Sequence, residues 1–146
     1  MVQKDILLNY LCAAIPYGVR VQGTDDDGDT YDCDLVGYSS ESKMFEVGDN
    51  EGGIGMFRID NIKPYLRPMS SMTDEEKKEF IEEACYELKE TVNGYHYEYY
   101  WADYCGEEKN PIANYDAIDW LLENHFDFMG LIDKGLAIDC TGLDIY

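Results

Sequence analysis

The chain has 146 residues, 45% hydrophobic and 14% aromatic, enough apolar material for one domain or two small subdomains with a real core. Thirty-one Asp and Glu stand against eleven Lys and Arg, and the net charge of −20 repels nucleic acid and anionic lipid. Direct DNA or RNA binding needs a basic stripe, which these cations do not form, and no run approaches the ~20 apolar residues of a membrane span.

The charge is lopsided. Residues 1–70 carry 12 acidic and 6 basic groups, a net of −6, whereas residues 71–146 carry 19 and 5, a net of −14. Five cysteines with no C-x-x-C pair point to reduced thiols in a cytoplasmic protein rather than a disulfide framework. Asp5 and Asn9 interrupt the opening apolar run and Lys4 is the nearest cation, so a short helix is expected there and not a signal peptide.

Ile6, Leu7, Tyr10, Leu11 and Ala14 fall at helical spacing, which predicts a helix over residues 4–14, stopped by Pro16 and Gly18. Short runs follow. Val19 and Val21 alternate with Arg20 and Gln22, and Tyr31, Cys33 and Leu35 alternate with Asp32 and Asp34. Residues 44–47 and 54–59 are two more candidate strands, and the connectors TDDDGD, SSES and GDNEGG are turn chemistry. IDNIKPYLRP reads as a tight turn leading into a last strand over residues 64–67, the way SH3-like barrels often end.

Beyond a linker at Ser70-Ser71, Thr73 and Glu76 form a capping box, and Asp74, Glu75 and Glu76 suit a helix N-terminus. Phe80, Ile81, Ala84, Cys85 and Leu88 mark one buried face of a helix expected to run to Asn93-Gly94. Residues 95–104 (YHYEYYWADY) favour a strand, with a loop over 106–111. Asn114 is expected to cap a helix with Tyr115, Ile118, Leu121, Leu122 and His125 on one face. LIDKG follows as a helical turn ending at Gly135, then Leu136, Ile138 and Cys140 as a short strand. The fold expected is α+β: an N-terminal helix and a small SH3-like β-barrel over residues 1–69, then an acidic helical and aromatic subdomain with one or two short strands over 72–146.

The phrases IDNIKPYLRPMSSMTDEEKKEF and YDAIDWLLENHFDFMGLIDKGLAID resemble those of small uncharacterised proteins of phages and mobile elements of gut bacteria. The resemblance covers about half the chain, mostly residues 59–80 and 115–139. It carries no activity and no site residue, and implies an accessory role with a bacterial cytoplasm as the workplace.

Candidate sites are few. An EF-hand loop starting at Asp25 needs Gly at its sixth place and Glu at its twelfth, but Thr30 and Val36 stand there, so Asp25–Asp29 reads as a hairpin tip around Asp27-Gly28. His96 and His125 lack ligands at zinc spacing, and nucleophile elbows, P-loops and dinucleotide fingerprints are missing. No metal, cofactor or catalytic residue is expected, and the chain reads as a non-enzyme.

Glu76, Glu79, Glu83, Glu87 and Glu90 step by three or four residues. On one continuous helix they form a carboxylate row ~21 Å long, about 5 Å per charge, against ~3.4 Å per phosphate of a DNA strand. The plain reading of such a row is a solvated face. The sharper one is imitation of a phosphate edge, offered to a basic channel of a host protein such as a defence nuclease, with Tyr99, Tyr100 and Trp101 as apolar anchors. The other two readings are a nucleotide-sequestering pocket whose phosphate ligands are Arg20, Arg58, Lys63 and Arg67, and a metal-dependent hydrolase built on converging carboxylates.

Overall fold

The apolar positions at helical spacing near the start do form a helix, α1 (Gln3–Ala14), which buries Leu7, Tyr10, Leu11 and Ala14. A 3-10 turn at Ile15–Tyr17, with Pro16 in its first turn, ends it, and Gly18 at φ 71° turns the chain. The computed structural model describes residues 3–49, 51–84, 86–90, 97–101 and 115–146; at 81, 83–84, 86–90, 97–101 and 115–116 it describes the backbone alone.

Four antiparallel strands follow as a meander: β1 (Arg20–Thr24), β2 (Thr30–Ser39), β3 (Met44–Gly48) and β4 (Ile54–Phe57). Period-two patterning turns Val21, Cys33, Leu35, Phe45 and Val47 inward. Leu35 pairs with Val47 while Gly37 pairs with Glu46, so Val36 is an extra residue, a bulge that bends the long strand β2. A 3-10 turn at Ile59–Asn61 leads into β5 (Ile62–Pro68), which pairs antiparallel with β1. The turn and the closing strand stand where IDNIKPYLRP put them.

Contacts divide the chain into two units, Met1–Leu66 with Met129–Tyr146, and Arg67–Phe128. This departs from a division into 1–69 and 72–146: residues 129–146 return to the first unit. There β9 (Ile138–Asp139) runs parallel to β5, and the Tyr146 hydroxyl donates to the Tyr65 carbonyl at 2.7 Å. Ser70-Ser71 is not an open linker. It belongs to a 3-10 turn, Met69–Ser71, whose first residue Met69 and following residue Met72 are buried.

The second unit holds α2 (Asp74–Ala84), the hairpin β6 (Tyr86–Glu90) with β7 (Tyr97–Trp101), α3 (Tyr115–Glu123) and β8 (Phe126–Asp127). The last residues of β5 pair with β8 in parallel. Counting β8 and β9, seven strands make one open, mostly antiparallel sheet, ordered β4-β3-β2-β1-β5-β8 with β9 also on β5. The capping box forms as its spacing requires: Glu76 N–H donates to Thr73 Oγ1 and Thr73 N–H to Glu76 Oε1, both at 3.1 Å.

Two expectations are corrected. α2 ends at Ala84 rather than near Asn93, because residues 86–90 are drawn into β6, where Glu87 pairs with Tyr100 and Glu90 with Tyr97. On α3 the buried residues are Ala117, Trp120, Leu121 and Leu122; Ile118 is only half-buried, and His125 lies past the helix at φ 62°. Trp120, large and apolar, sets the buried face. Its ring contacts Phe80 at 5.2 Å and stacks on Phe126 at 5.8 Å. The predicted loop at 106–111, the cap at Asn114, and Cys85 and His96 lie outside the described residues. Among the described residues no helix is long and apolar enough to cross a membrane.

Arg67 ties this second core together. Its guanidinium meets Glu76 through two hydrogen bonds, at 2.8 and 2.7 Å, and lies 4.2 Å above the Phe126 ring. The pair holds the Glu76 carboxyl below its usual range. Glu76→Ala removes both that pair and half of the capping box. It is expected to cost about 2–3 kcal/mol in urea unfolding followed by tryptophan fluorescence, with the exposed Glu75→Ala within about 0.5 kcal/mol of wild type.

Burial, with the Arg67 charge adding to it, lowers the His125 pKa from 6.5 to about 4. Between those values the unfolded chain binds a proton that the folded one does not, so stability falls as pH drops through that window. Asn tolerates the left-handed backbone at this position. His125→Asn should flatten the loss between pH 6.5 and about 4, leaving the acid loss from Glu76 below its reference value of 4.5.

Candidate functional site

The acidic hairpin tip is built by Asp25. Its Oδ1 accepts from the Asp27 and Asp29 N–H groups at 3.0 and 2.9 Å, and its Oδ2 accepts from the Tyr31 hydroxyl at 2.8 Å. Gly28 at φ 86° completes the turn and donates to the Asp25 carbonyl at 3.0 Å. The Tyr31 hydrogen bond, before the backbone ones, holds the Asp25 carboxyl below its usual range, and the same bond pushes the Tyr31 phenol up. Asp25, Asp27 and Asp29 can bring one oxygen each within 4.8 Å of one another. Both oxygens of Asp25 are already accepting, however, so the cluster reads as a self-capped turn.

Beside this turn lies a cleft of about 450 Å³, confined to the first unit and lined by residues 30–33, Val47, Asp49 and residues 53–55 and 57. Small residues make room for it. A β-carbon built at Gly23 would stand 2.5 Å from the Phe57 ring, so glycine at this point of β1 leaves that ring its place. A β-carbon built at Gly55 would stand 3.3 Å from Val47 and 3.6 Å from the Phe57 ring. Cys33 and Val47 are fully buried, Phe57 is half-buried, and Tyr31 and Ile54 stand out at 48% and 74% exposure.

Two carboxylates flank the cleft, in different ways. The Asp32 carboxylate accepts from the Tyr65 hydroxyl, which also accepts from Gln22. Asp49 Oδ1 accepts from the Glu51 and Gly53 N–H groups at 2.9 and 2.6 Å, which fixes the β3–β4 turn and leaves Oδ2 outside those bonds. Burial first, and then Asp32, pushes the Cys33 thiol up, so it stays protonated near neutral pH and serves as an apolar wall instead of a nucleophile.

The residues singled out in the sequence are dispersed in character. Glu76 is spoken for by Arg67, and Glu79 accepts from the Trp120 indole at 3.3 Å. Glu83 is in the last turn of α2, while Glu87 and Glu90 are on β6. A strand has a period of two and does not continue a helical row, so the unbroken five-carboxylate line is not formed. Tyr99, Tyr100 and Trp101 lie on β7, opposite Leu88, Glu87 and Tyr86. Their side chains, with those of Glu83, Glu87 and Glu90, are outside what is described.

Of the four cations proposed for phosphate, Arg20 contacts Asp34 at 3.2 Å and Arg67 is held by Glu76. Arg58 and Lys63 are exposed on the first unit. The cleft residues Tyr31, Asp49, Ile54 and Phe57 were not legible as a site. The signal available was the glycine spacing in GDNEGGIG, which reads as turn chemistry and also clears space over β4.

No protein-family model, curated protein or solved structure matches this chain.

The cleft depends on Phe57 lying against Gly23. Gly23→Ala should displace that ring and destabilise the protein by about 1–3 kcal/mol in urea unfolding, whereas Gly55→Ala, with milder contacts, should cost less.

Proposed function

We propose that this chain is a non-enzymatic binding protein that captures a cationic protein, and that the partner is a host protein in a bacterial cytoplasm. The observation that carries the reading is arithmetic: 31 − 11 leaves at least 20 carboxylates with no cation of their own to pair with. Folding does not cancel that excess. Asp26, Asp27 and Asp29 sit exposed at the end of the β1–β2 hairpin, on a turn that Asp25 holds in shape. A field of this sign accelerates encounter with basic surfaces and rejects anions.

The bacterial setting rests on the resemblance of residues 59–80 and 115–139 alone. A nucleic-acid-handling host protein, such as a defence nuclease, is the partner class whose basic channel best complements the charge. Imitation of a phosphate edge by one long helix is not part of the proposal, since α2 ends at Ala84. The first unit is proposed to be a small SH3-like barrel. In support, β1 to β4 form a meander with a bulge bending β2, and after a 3-10 turn β5 returns to pair with β1.

A nucleotide-sequestering role is the weaker reading, because Arg20 and Arg67 are each engaged by a carboxylate. A metal-dependent hydrolase is weaker still, because Asp25 already accepts three hydrogen bonds within its own turn and Asp27 and Asp29 stand exposed.

Capture from a bacterial lysate on the immobilised chain tests the proposal. Basic proteins should be retained at about 0.05 M salt and released by about 0.5 M, where the Debye length falls to a few ångströms. The triple variant Asp26→Asn, Asp27→Asn, Asp29→Asn should retain markedly less. Retention that is unchanged by salt and by the triple substitution would remove the electrostatic basis.

A further inference from the structure

We infer that the cleft between the β1–β2 and β3–β4 turns is a receptor for a single arginine side chain presented by the cationic partner. The inference rests on the binding role proposed above and names where, and through which residue type, contact is made. Three features of the cleft select that occupant.

The first is the wall chemistry. Val47, the protonated Cys33 thiol and the Phe57 ring form an apolar lining suited to an aliphatic stem. The second is the aromatic edge. Tyr31 is half exposed, and its hydroxyl is held by Asp25, so its ring is pre-positioned instead of free to swing. A guanidinium stacks on such faces and is weakly hydrated, so it enters at less cost than a compact ammonium.

The third is charge. Asp49 sits at the cleft with Oδ1 committed to the turn and Oδ2 outside those bonds, and the Gly53 backbone crowds that same oxygen so closely that a β-carbon there would clash with it. The carboxylate is therefore fixed in place before any ligand arrives. A volume of about 450 Å³ exceeds what one side chain fills, which leaves room for the neighbouring backbone of the partner. An anionic occupant would meet Asp49 and the overall field, and a neutral one would leave the carboxylate unanswered.

The test uses the full chain and the acetylated, amidated pentapeptide TTRTT, with its citrulline counterpart as the neutral isostere, followed by amide NMR shifts at about 0.15 M salt. The arginine peptide should shift the Cys33, Gly53, Ile54 and Gly55 amides saturably. Citrulline in its place should weaken binding by about ten- to a hundredfold, the worth of a charge-assisted hydrogen bond. Asp49→Asn, which keeps the Oδ1 acceptor, should do the same. Tyr31→Ala should weaken binding too, and amide spectra of both variants report whether the fold is retained. The double variant Asp26→Asn, Asp27→Asn removes more charge but lies outside the cleft, so it should weaken binding less than Asp49→Asn.

Shifts spread over exposed carboxylates, with Asp49→Asn no weaker than the double variant, would overturn the arginine receptor and leave the cationic-partner proposal standing. Equal binding of the citrulline peptide would also overturn it, and would make the cleft a neutral-ligand pocket. Capture of basic proteins that fails in the lysate experiment, while the peptide still binds at Asp49, would instead sink the broader proposal alone.

Discussion

Arg67 is where charge, backbone and aromatic packing meet in the second unit. Its N–H donates to the His125 carbonyl at 2.8 Å, its guanidinium forks onto Glu76, and its plane covers Phe126. In a chain with eleven cations for thirty-one carboxylates, the use of each arginine is a choice. A bidentate, partly buried pair is the arrangement in which a guanidinium gives most, because the fork geometry is matched and solvent screening is reduced. Glu76 also closes the capping box, three positions after Thr73, so one carboxylate starts α2 and anchors it to β5. Phe80, Trp120 and Phe126 then close over the same core.

The first unit is held differently. Its core is aliphatic and aromatic side chains from α1 and a bent meander; Asp34 and Asp60 pair with Arg20 and Lys4, while Asp25 and Asp49 are spent on turns. Asp25 and Asp49 each cap a hairpin from within, accepting backbone N–H groups that a tight turn would otherwise leave exposed. Glycines at 23, 53 and 55 keep the surface between those turns open. Asp49 and Gly53, which shape the β3–β4 turn, also line a cleft that is apolar inside and acidic at its edge.

Much of the fold was legible because it is written locally. The capping box at Thr73 and Glu76, the alternation from Tyr31 to Leu35, the short turn before β5 and the left-handed Gly135 closing LIDKG all depend on residues within a few positions of one another. The end of α2 was not. EEACYELKE is rich in good helix formers apart from Cys85 and Tyr86, and pairing with residues 97–101 makes 86–90 a strand. The carboxylate row failed for that reason, since it assumed one element where there are two. Of the face expected on α3, Leu121 and Leu122 are buried, but Trp120 stands outside the expected set and packs with Phe80 and Phe126, which come from elsewhere in the chain. The cleft was invisible because it needs Gly23 and Phe57, thirty-four positions apart, to meet.

At least 20 carboxylates exceed the cations that could pair with them, and the proposed binding role draws on that excess. Such a molecule is destabilised by its own repulsion, and screening should relieve it. Thermal unfolding of the isolated protein between about 0.02 and 0.5 M sodium chloride measures this directly. The midpoint should rise by several degrees as salt is added. A midpoint that falls with salt would mean that internal ion pairs consume the carboxylates, and that the surface has little to offer a basic protein.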